Sequence, residues 1–361
     1  MRRNGTVPAG SGPASLVPAS LVLAGLASAW LALLSQQAIA APGTADVAAE
    51  TDAGYPSRPI TIIVPYAAGG PSDALAQLIS ARMARTLGQR IVIENILGAG
   101  GTTATLRTKR SAADGYTLSI GNIGTHAAAA SLYPRLGYNP RTDFEPLGLI
   151  ASAPIVILGR RDFAPKDLRE FVDYLQLNSH NLDEAHGGVG SIPYDACLLL
   201  NHLVGARPRL ISYEGAAPAL DSLMRGRTDY MCDQIINAVP RVRAGKVKAY
   251  AVAAPERSPA LPDVPTTAEG GMPEFQLSAW QALFAPRGIP ANVAERLNAA
   301  LGQALDDPAV RARMADLGAT PPNGGQRTPQ ALATVVREEI DRWAAVIKAA
   351  GQEDGLAPSA K

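Results

Sequence analysis

Four turns in this chain set two or more glycines ahead of a hydroxyl residue. They are Gly69-Gly70-Pro71-Ser72, Gly98-Ala99-Gly100-Gly101-Thr102, Gly121-Asn122-Ile123-Gly124-Thr125 and Gly187-Gly188-Val189-Gly190-Ser191. Glycine lets a strand turn tightly into a helix, whose first N–H groups are unpaired and lie at the positive end of its dipole. That arrangement binds anions. Read singly, each turn could equally do no more than end a strand. Four with a hydroxyl following make anion binding the reading to pursue.

The chemistry open to these turns is narrow. A nucleotide-binding P-loop needs Lys before the Ser or Thr, and none of the turns has one. A dinucleotide fingerprint would need a third glycine where Thr103 stands. No G-x-S-x-G nucleophile elbow follows residue 40, so a serine hydrolase lacks its nucleophile. His180 and His186 flank a polar loop, His202 falls in an expected helix, and only His126 follows a glycine turn. No metal-ligand spacing joins them. His126 reads as a satisfied or solvated residue, with a ligand contact as the alternative. Glu338-Glu339 and Asp306-Asp307 read as polar helix faces or ends rather than a catalytic dyad. These patterns favour binding over catalysis, with no cofactor and no metal.

The elements that carry the turns alternate. A β-branched strand at 60–65 leads through the first turn into a helix at 72–87, with Leu75, Leu78, Ile79, Met83 and Leu87 at helical spacing and Gly88 as its stop. A strand at 90–96, a helix at 102–113 and a strand at 116–121 follow, an order that favours a parallel sheet with helices on both faces. An apolar stretch at 147–158 can cross from one domain to another. Beyond it come helices at 166–177, 194–204 and 217–225, and strands at 209–213, 228–232 and 247–253. A proline-rich loop at 258–273, a return strand at 278–285 and helices at 292–305 and 329–350 complete the chain.

Composition bounds the rest. The 361 residues carry 33 basic and 32 acidic side chains, with 18% charged and 47% hydrophobic. Length suggests two domains, and the balance offers no basic face for nucleic acid. Arg2 and Arg3 precede an apolar run at 16–34 that ends in Ala38-Ile39-Ala40. This is the form of a cleaved secretory signal peptide, residues 1–40. Pro18 and Gly25 interrupt the run, which argues against a membrane anchor, and Asn4-Gly5 against a twin-arginine signal. Residues 41–54 read as a flexible leader, and the mature protein as exported to the periplasm. Taking Arg2 and Arg3 from 33 leaves 31 basic against 32 acidic residues, a net charge of −1. Cys197 and Cys232 stand in buried-type contexts and are expected as two free thiols, a bridge being the alternative.

Tyr55-Pro56-Ser57-Arg58-Pro59-Ile60, Val64-Pro65-Tyr66, Asp114-Gly115-Tyr116-Thr117-Leu118, Tyr213-Glu214-Gly215, Ala244-Gly245-Lys246 and 257–266 (RSPALPDVPT) together resemble the Bug proteins. These are the extracytoplasmic solute-binding receptors of tripartite tricarboxylate transporters. The resemblance runs from about Tyr55 to Gly351. It implies an α/β type II periplasmic-binding fold, two α/β lobes joined by crossover strands with a ligand cleft between them. One lobe would hold residues 55–152 plus 278–361, the other 153–277. It implies a small organic acid as ligand, membrane permease subunits as partners, and a monomer.

Carried over by position, the resemblance implies ligand contacts from Tyr66, Gly70, Ser72 and Asp73 in the first loop and from Asn122 and Thr125 in the Gly-x-x-Gly-Thr loop. Ser191, Ile192, Tyr213 and Asp233 would complete them from the second lobe. Asp73 and Asp233 read equally as helix or strand-end caps. The chain departs from the family where Ile192-Pro193-Tyr194 replaces hydroxyl residues followed by His, and where Leu198 replaces a glutamate. Pro193 has no N–H to donate. The expected preference is therefore a monocarboxylate, or a dicarboxylate with an apolar or aromatic body, over citrate-like acids. That preference assumes Tyr194 turns to the cleft; the alternative is that it packs inward. A periplasmic sensor presenting ligand to a signalling partner is the rival function.

Overall fold

In the first element, β1 (Ile60–Val64), four of five residues are buried. The chain then breaks at Gly70, which caps α1 (Pro71–Leu87), with Pro71 at the position where a missing N–H removes no helical bond. Leu75, Ile79 and Met83 recur at i, i+4 and are fully buried with Ile60, Ile62 and Val64; such side chains contribute ~1.5–3 kcal/mol each. Gly88, left-handed at φ 69°, stops the helix. The computed structural model describes residues 54–351. The expected signal peptide at 1–40 and residues 41–53 of the expected leader lie outside them.

The remaining elements follow in order: β2 (Ile91–Asn95), α2 (Thr102–Lys109), β3 (Thr117–Asn122), a π turn at Gly124–Ala128, α3 (Ala129–Leu132), β4 (Phe144–Arg160), α4 (Leu168–Asn178) and β5 (Asp183–His186). Then come α5 (Ile192–Val204), β6 (Arg209–Ser212), α6 (Ala216–Met224), β7 (Tyr230–Gln234), α7 (Ile235–Arg243), β8 (Val247–Val252), β9 (Ser278–Pro286), α8 (Ala291–Asp306), α9 (Pro308–Asp316) and α10 (Pro329–Ala349).

The strands run β2-β1-β3-β9-β4-β7-β5-β6, with β8 also on β4. Parallel pairing joins β1 to β2 and β3, and β5 to β6 and β7. β9 is antiparallel to β3 and β4, and β4 to β7 and β8, so the sheet is mixed. β4 is the pivot of this order. Its first part, Phe144 to Pro154, pairs with β9, and its second, Ile155 to Arg160, pairs with β7 and β8. The sheet therefore has two halves sharing one 17-residue strand.

Four elements were absent from the sequence-based expectation. β5 lies inside the segment expected as a polar loop, because Glu184 and His186 are buried partners of the sheet rather than solvated residues. α7 carries Pro240 in its interior, normally a helix breaker. The other two are the short α3 and α9.

The cysteines correct the expectation of two free thiols. Cys197 in α5 and Cys232 in β7 form a disulfide, with a Cα–Cα separation of 5.3 Å. α5 packs against β7, and this brings two separately buried cysteines within bridging range.

Candidate functional site

The glycine turns of the two halves meet. Tyr133 Oη donates to Val189 O at 2.6 Å, and the Ala67 N–H donates to Glu214 O at 3.2 Å. A Cβ on Gly124 would stand 2.0 Å from Gly190 O, and one on Gly100 1.8 Å from Val189 O. Glycine is required at both places because backbone from the opposite half fills the space. Gly100 also has φ +61°, the left-handed region.

At this seam four helix beginnings converge on one small pocket. It is lined by Tyr66, Gly70, Pro71 and Ser72 from one half and Ser191, Ile192, Pro193, Ala216 and Gln234 from the other. Pro71 and Ser72 open α1, Ile192 and Pro193 open α5, Ala216 opens α6, and Gln234 caps α7. Each end carries the equivalent of roughly +0.5 charge. Four such ends around one space favour an anion without a Lys or Arg among its walls. The pocket holds about 10 Å³, the room of roughly one water.

A second cavity of about 390 Å³ adjoins it through Tyr66. Its walls are Pro65, Tyr66, Gly98 to Gly101 and Tyr133 on one side, and His186 to Val189, Tyr194, Leu210 and Ser212 to Glu214 on the other. A larger cavity of about 630 Å³ shares Tyr194 and Leu210 with it. It takes no wall from the glycine turns, and the buried Glu184 that borders it accepts hydrogen bonds from Asn201 and Tyr230.

The expected site residues divide into two groups. Tyr66, Gly70, Ser72, Ser191 and Ile192 line the small pocket, and Tyr213 borders the 390 Å³ cavity with Tyr66. The others are turned to their own surroundings. Asp73 accepts from the Gly69 N–H, Gln77 and Asn95, which makes it a brace for the first turn. Asp233 accepts from the Gln234 N–H and from Asn237, and burial lifts its carboxyl to about 7 despite both bonds. Thr125 Oγ1 stands 2.9 Å from His126 Nδ1 and accepts from the Asn122 N–H. Asn122 Oδ1 accepts from the Thr125 N–H and from Tyr66 Oη, while its buried Nδ2 has no protein partner. His126 itself is a core residue. Its ring stacks on Phe284 with centroids 4.0 Å apart, and burial holds its pKa down to about 3. Tyr194 is 2% exposed and edge-on to His186, and it borders the 390 Å³ cavity.

Sequence reasoning missed two features here. Ser72 Oγ donates to Gln281 Oε1 at 3.0 Å, and Gln281 Nε2 donates to Gln234 Oε1 at 2.9 Å. This buried chain ties α1, β9 and β7 together beneath the pocket. Its members are up to 209 positions apart, so no local pattern marks them. The other is Asp195, one position beyond the departure at Ile192-Pro193-Tyr194. It is 1% exposed, and no protein donor reaches either carboxyl oxygen. Burial pushes its carboxyl well above the usual carboxylate range.

Two α/β halves on a shared strand, with helix ends and glycine turns facing across the seam, make up the two-lobed periplasmic-binding fold. The comparisons agree and are more specific. Residues 75–352 match the tripartite tricarboxylate transporter family receptor, and the chain belongs to that family. Similar solved structures include MatC from Rhodopseudomonas palustris with bound malate, 52% identical, covering 81% of this chain and 100% of that one at a TM-score of 0.79. The periplasmic binding protein BugD is 38% identical, covering 83% and 99% at 0.80. An R. palustris protein with adipate is 32% identical, covering 82% and 98% at 0.78.

Proposed function

We propose that this chain is a periplasmic receptor that captures a small organic carboxylate at the seam between its halves and delivers it to a membrane permease. The convergence of four helix beginnings on one pocket carries this reading. It supplies positive potential from backbone alone, which suits an acid whose size and second group vary among relatives. The dicarboxylates named for the two R. palustris proteins support a small dicarboxylate over a citrate-like acid. In this reading, residues 55–152 with 278–361 form one lobe and 153–277 the other. Each uses its glycine turns to hold the ligand. A pocket of about 10 Å³ admits an acid only when the lobes part, so capture is a hinge motion about β4 and β9. Tyr66, Gly70, Ser72, Ser191 and Ile192 are the proposed contacts, with Asn122 holding Tyr66. No catalytic step is assigned. Export by a cleaved signal peptide at residues 1–40 and a monomeric state complete the proposal.

The test is a melting screen of the mature protein against malate, succinate, adipate, citrate and benzoate. A ligand at 100 times its Kd adds about 2.7 kcal/mol. At an unfolding entropy of ~2.1 cal/mol/K per residue over roughly 300 residues, that raises Tm by about 4 °C. No shift with any carboxylate overturns the reading. Delivery is tested separately: cells lacking the chain should lose uptake of the acid that binds.

A further inference from the structure

Asp195 sits in the first turn of α5, fully buried, and its two oxygens have no donor from the protein. Leaving a buried polar group unpaired costs about 1–3 kcal/mol, which a purely structural position has no reason to retain. It stands four positions on from Ser191 and three from Ile192, on the face of α5 whose beginning lines the small pocket at the seam. Tyr66, Tyr133 and Tyr194 stand near enough that, beyond the effect of their own burial, an ionised Asp195 raises each phenol further. All three border the 390 Å³ cavity, and Tyr66 and Tyr133 belong to the opposite half of the sheet. Across the seam, Asn122 offers the complementary unpaired group, a buried amide N–H.

We propose that Asp195 is a specificity-determining residue that accepts a hydrogen bond from a hydroxyl on the captured acid, selecting a 2-hydroxy carboxylate over its unsubstituted analogue. The inference rests on carboxylate capture at the seam. The division of labour follows from the donor and acceptor inventory. Helix ends and the Asn122 amide present donors, which a carboxylate satisfies. Asp195 is the acceptor left over, and a carboxylate alone has no hydrogen to give it. A hydroxyl beside the carboxylate does. Burial favours the neutral acid, and an anionic ligand nearby favours it further. In that form Asp195 also returns its own O–H to a carboxylate oxygen, so one side chain matches both atoms of the hydroxy-acid edge.

The experiment is calorimetric titration of the wild type, Asp195→Leu and Asp195→Asn with malate, succinate and aspartate, with Tm measured on each ligand-free protein. The wild type should prefer malate over succinate by roughly tenfold or more, as a site with an unpaired acceptor discriminates. Asp195→Leu should abolish that ratio while still binding succinate. Asp195→Asn, which keeps an acceptor, should preserve it within about threefold. Both ligand-free variants should melt at or above the wild-type Tm. Equal binding of malate and succinate by the wild type overturns the assignment, as does a ratio unmoved in Asp195→Leu. Tighter binding of aspartate than malate also overturns it, showing an ionised Asp195 paired with an ammonium. A Tm lowered in both variants overturns it in favour of a structural role. Failure of the wild type to bind any of the three acids overturns the assignment, and carboxylate capture falls with it only when the melting screen is blank as well.

Discussion

Reduction of Cys197–Cys232 should destabilise the protein by an amount its loop length sets. The bridge spans 35 residues and closes a loop running from α5 through β6 and α6 to β7. Opening it returns loop entropy to the unfolded chain, worth about 4 kcal/mol for this length at 25 °C. Spread over an unfolding entropy of ~2.1 cal/mol/K per residue and roughly 300 residues, that lowers Tm by about 6 °C. The measurement is a thermal scan of the purified protein with and without a phosphine reductant, paired with thiol counting under denaturing conditions. Before reduction the count should be zero and afterwards two. A Cys197→Ala/Cys232→Ala variant should melt low and be indifferent to reductant. Two reactive thiols in untreated protein would show that the bridge does not form. Zero thiols rising to two with no fall in Tm would refute the loop-entropy argument itself.

Gly124→Ala tests the seam, since its Cβ would meet Gly190 O at 2.0 Å while its own backbone is outside the left-handed region. Affinity for whichever carboxylate the melting screen identifies should fall at least about tenfold, ~1.4 kcal/mol, with ligand-free Tm nearly unchanged; unchanged affinity would mean the turns need not meet. Gln281→Leu strands both Ser72 and Gln234 in a buried setting, so denaturant titration should show a loss of ~1–3 kcal/mol per group left unpaired. Glu184 is fully buried and burial lifts its carboxyl from the ordinary 4.5 to about 8, against hydrogen bonds from Asn201 and Tyr230. The folded state holds that proton more tightly, so its contribution is full below pH 4.5 and is lost as pH rises to about 8. Glu184→Gln should remove a slope of up to ~1.4 kcal/mol per pH unit in that window, seen as a flatter plot of unfolding free energy against pH.

Local features were legible in the sequence because their causes are local. β1, α1 and the glycine turns follow from β-branched runs, i, i+4 apolar spacing and backbone freedom, all contained within about twenty residues. The family was legible for the same reason, through contiguous motifs such as the proline-rich 257–266 stretch. The apolar, β-rich composition of 147–158 made it a candidate crossing segment, and β4 pairs with strands in both halves of the sheet. What the sequence could not show was which groups meet across the fold. Thr125 follows a glycine turn like a ligand contact, yet packing turns it to His126, itself stacked on Phe284. Glu184 and His186 look solvated until β5 is inserted between β6 and β7. Cys197 and Cys232 are two buried cysteines until α5 packs on β7. Asp195 reads as an ordinary acidic residue in a first helical turn until the opposite half covers it and leaves its oxygens unpaired. Sequence patterns record what each segment can bury and how it can turn. Whether a polar atom finds a partner depends on elements brought together by long-range packing, and that is decided only when the chain closes on itself.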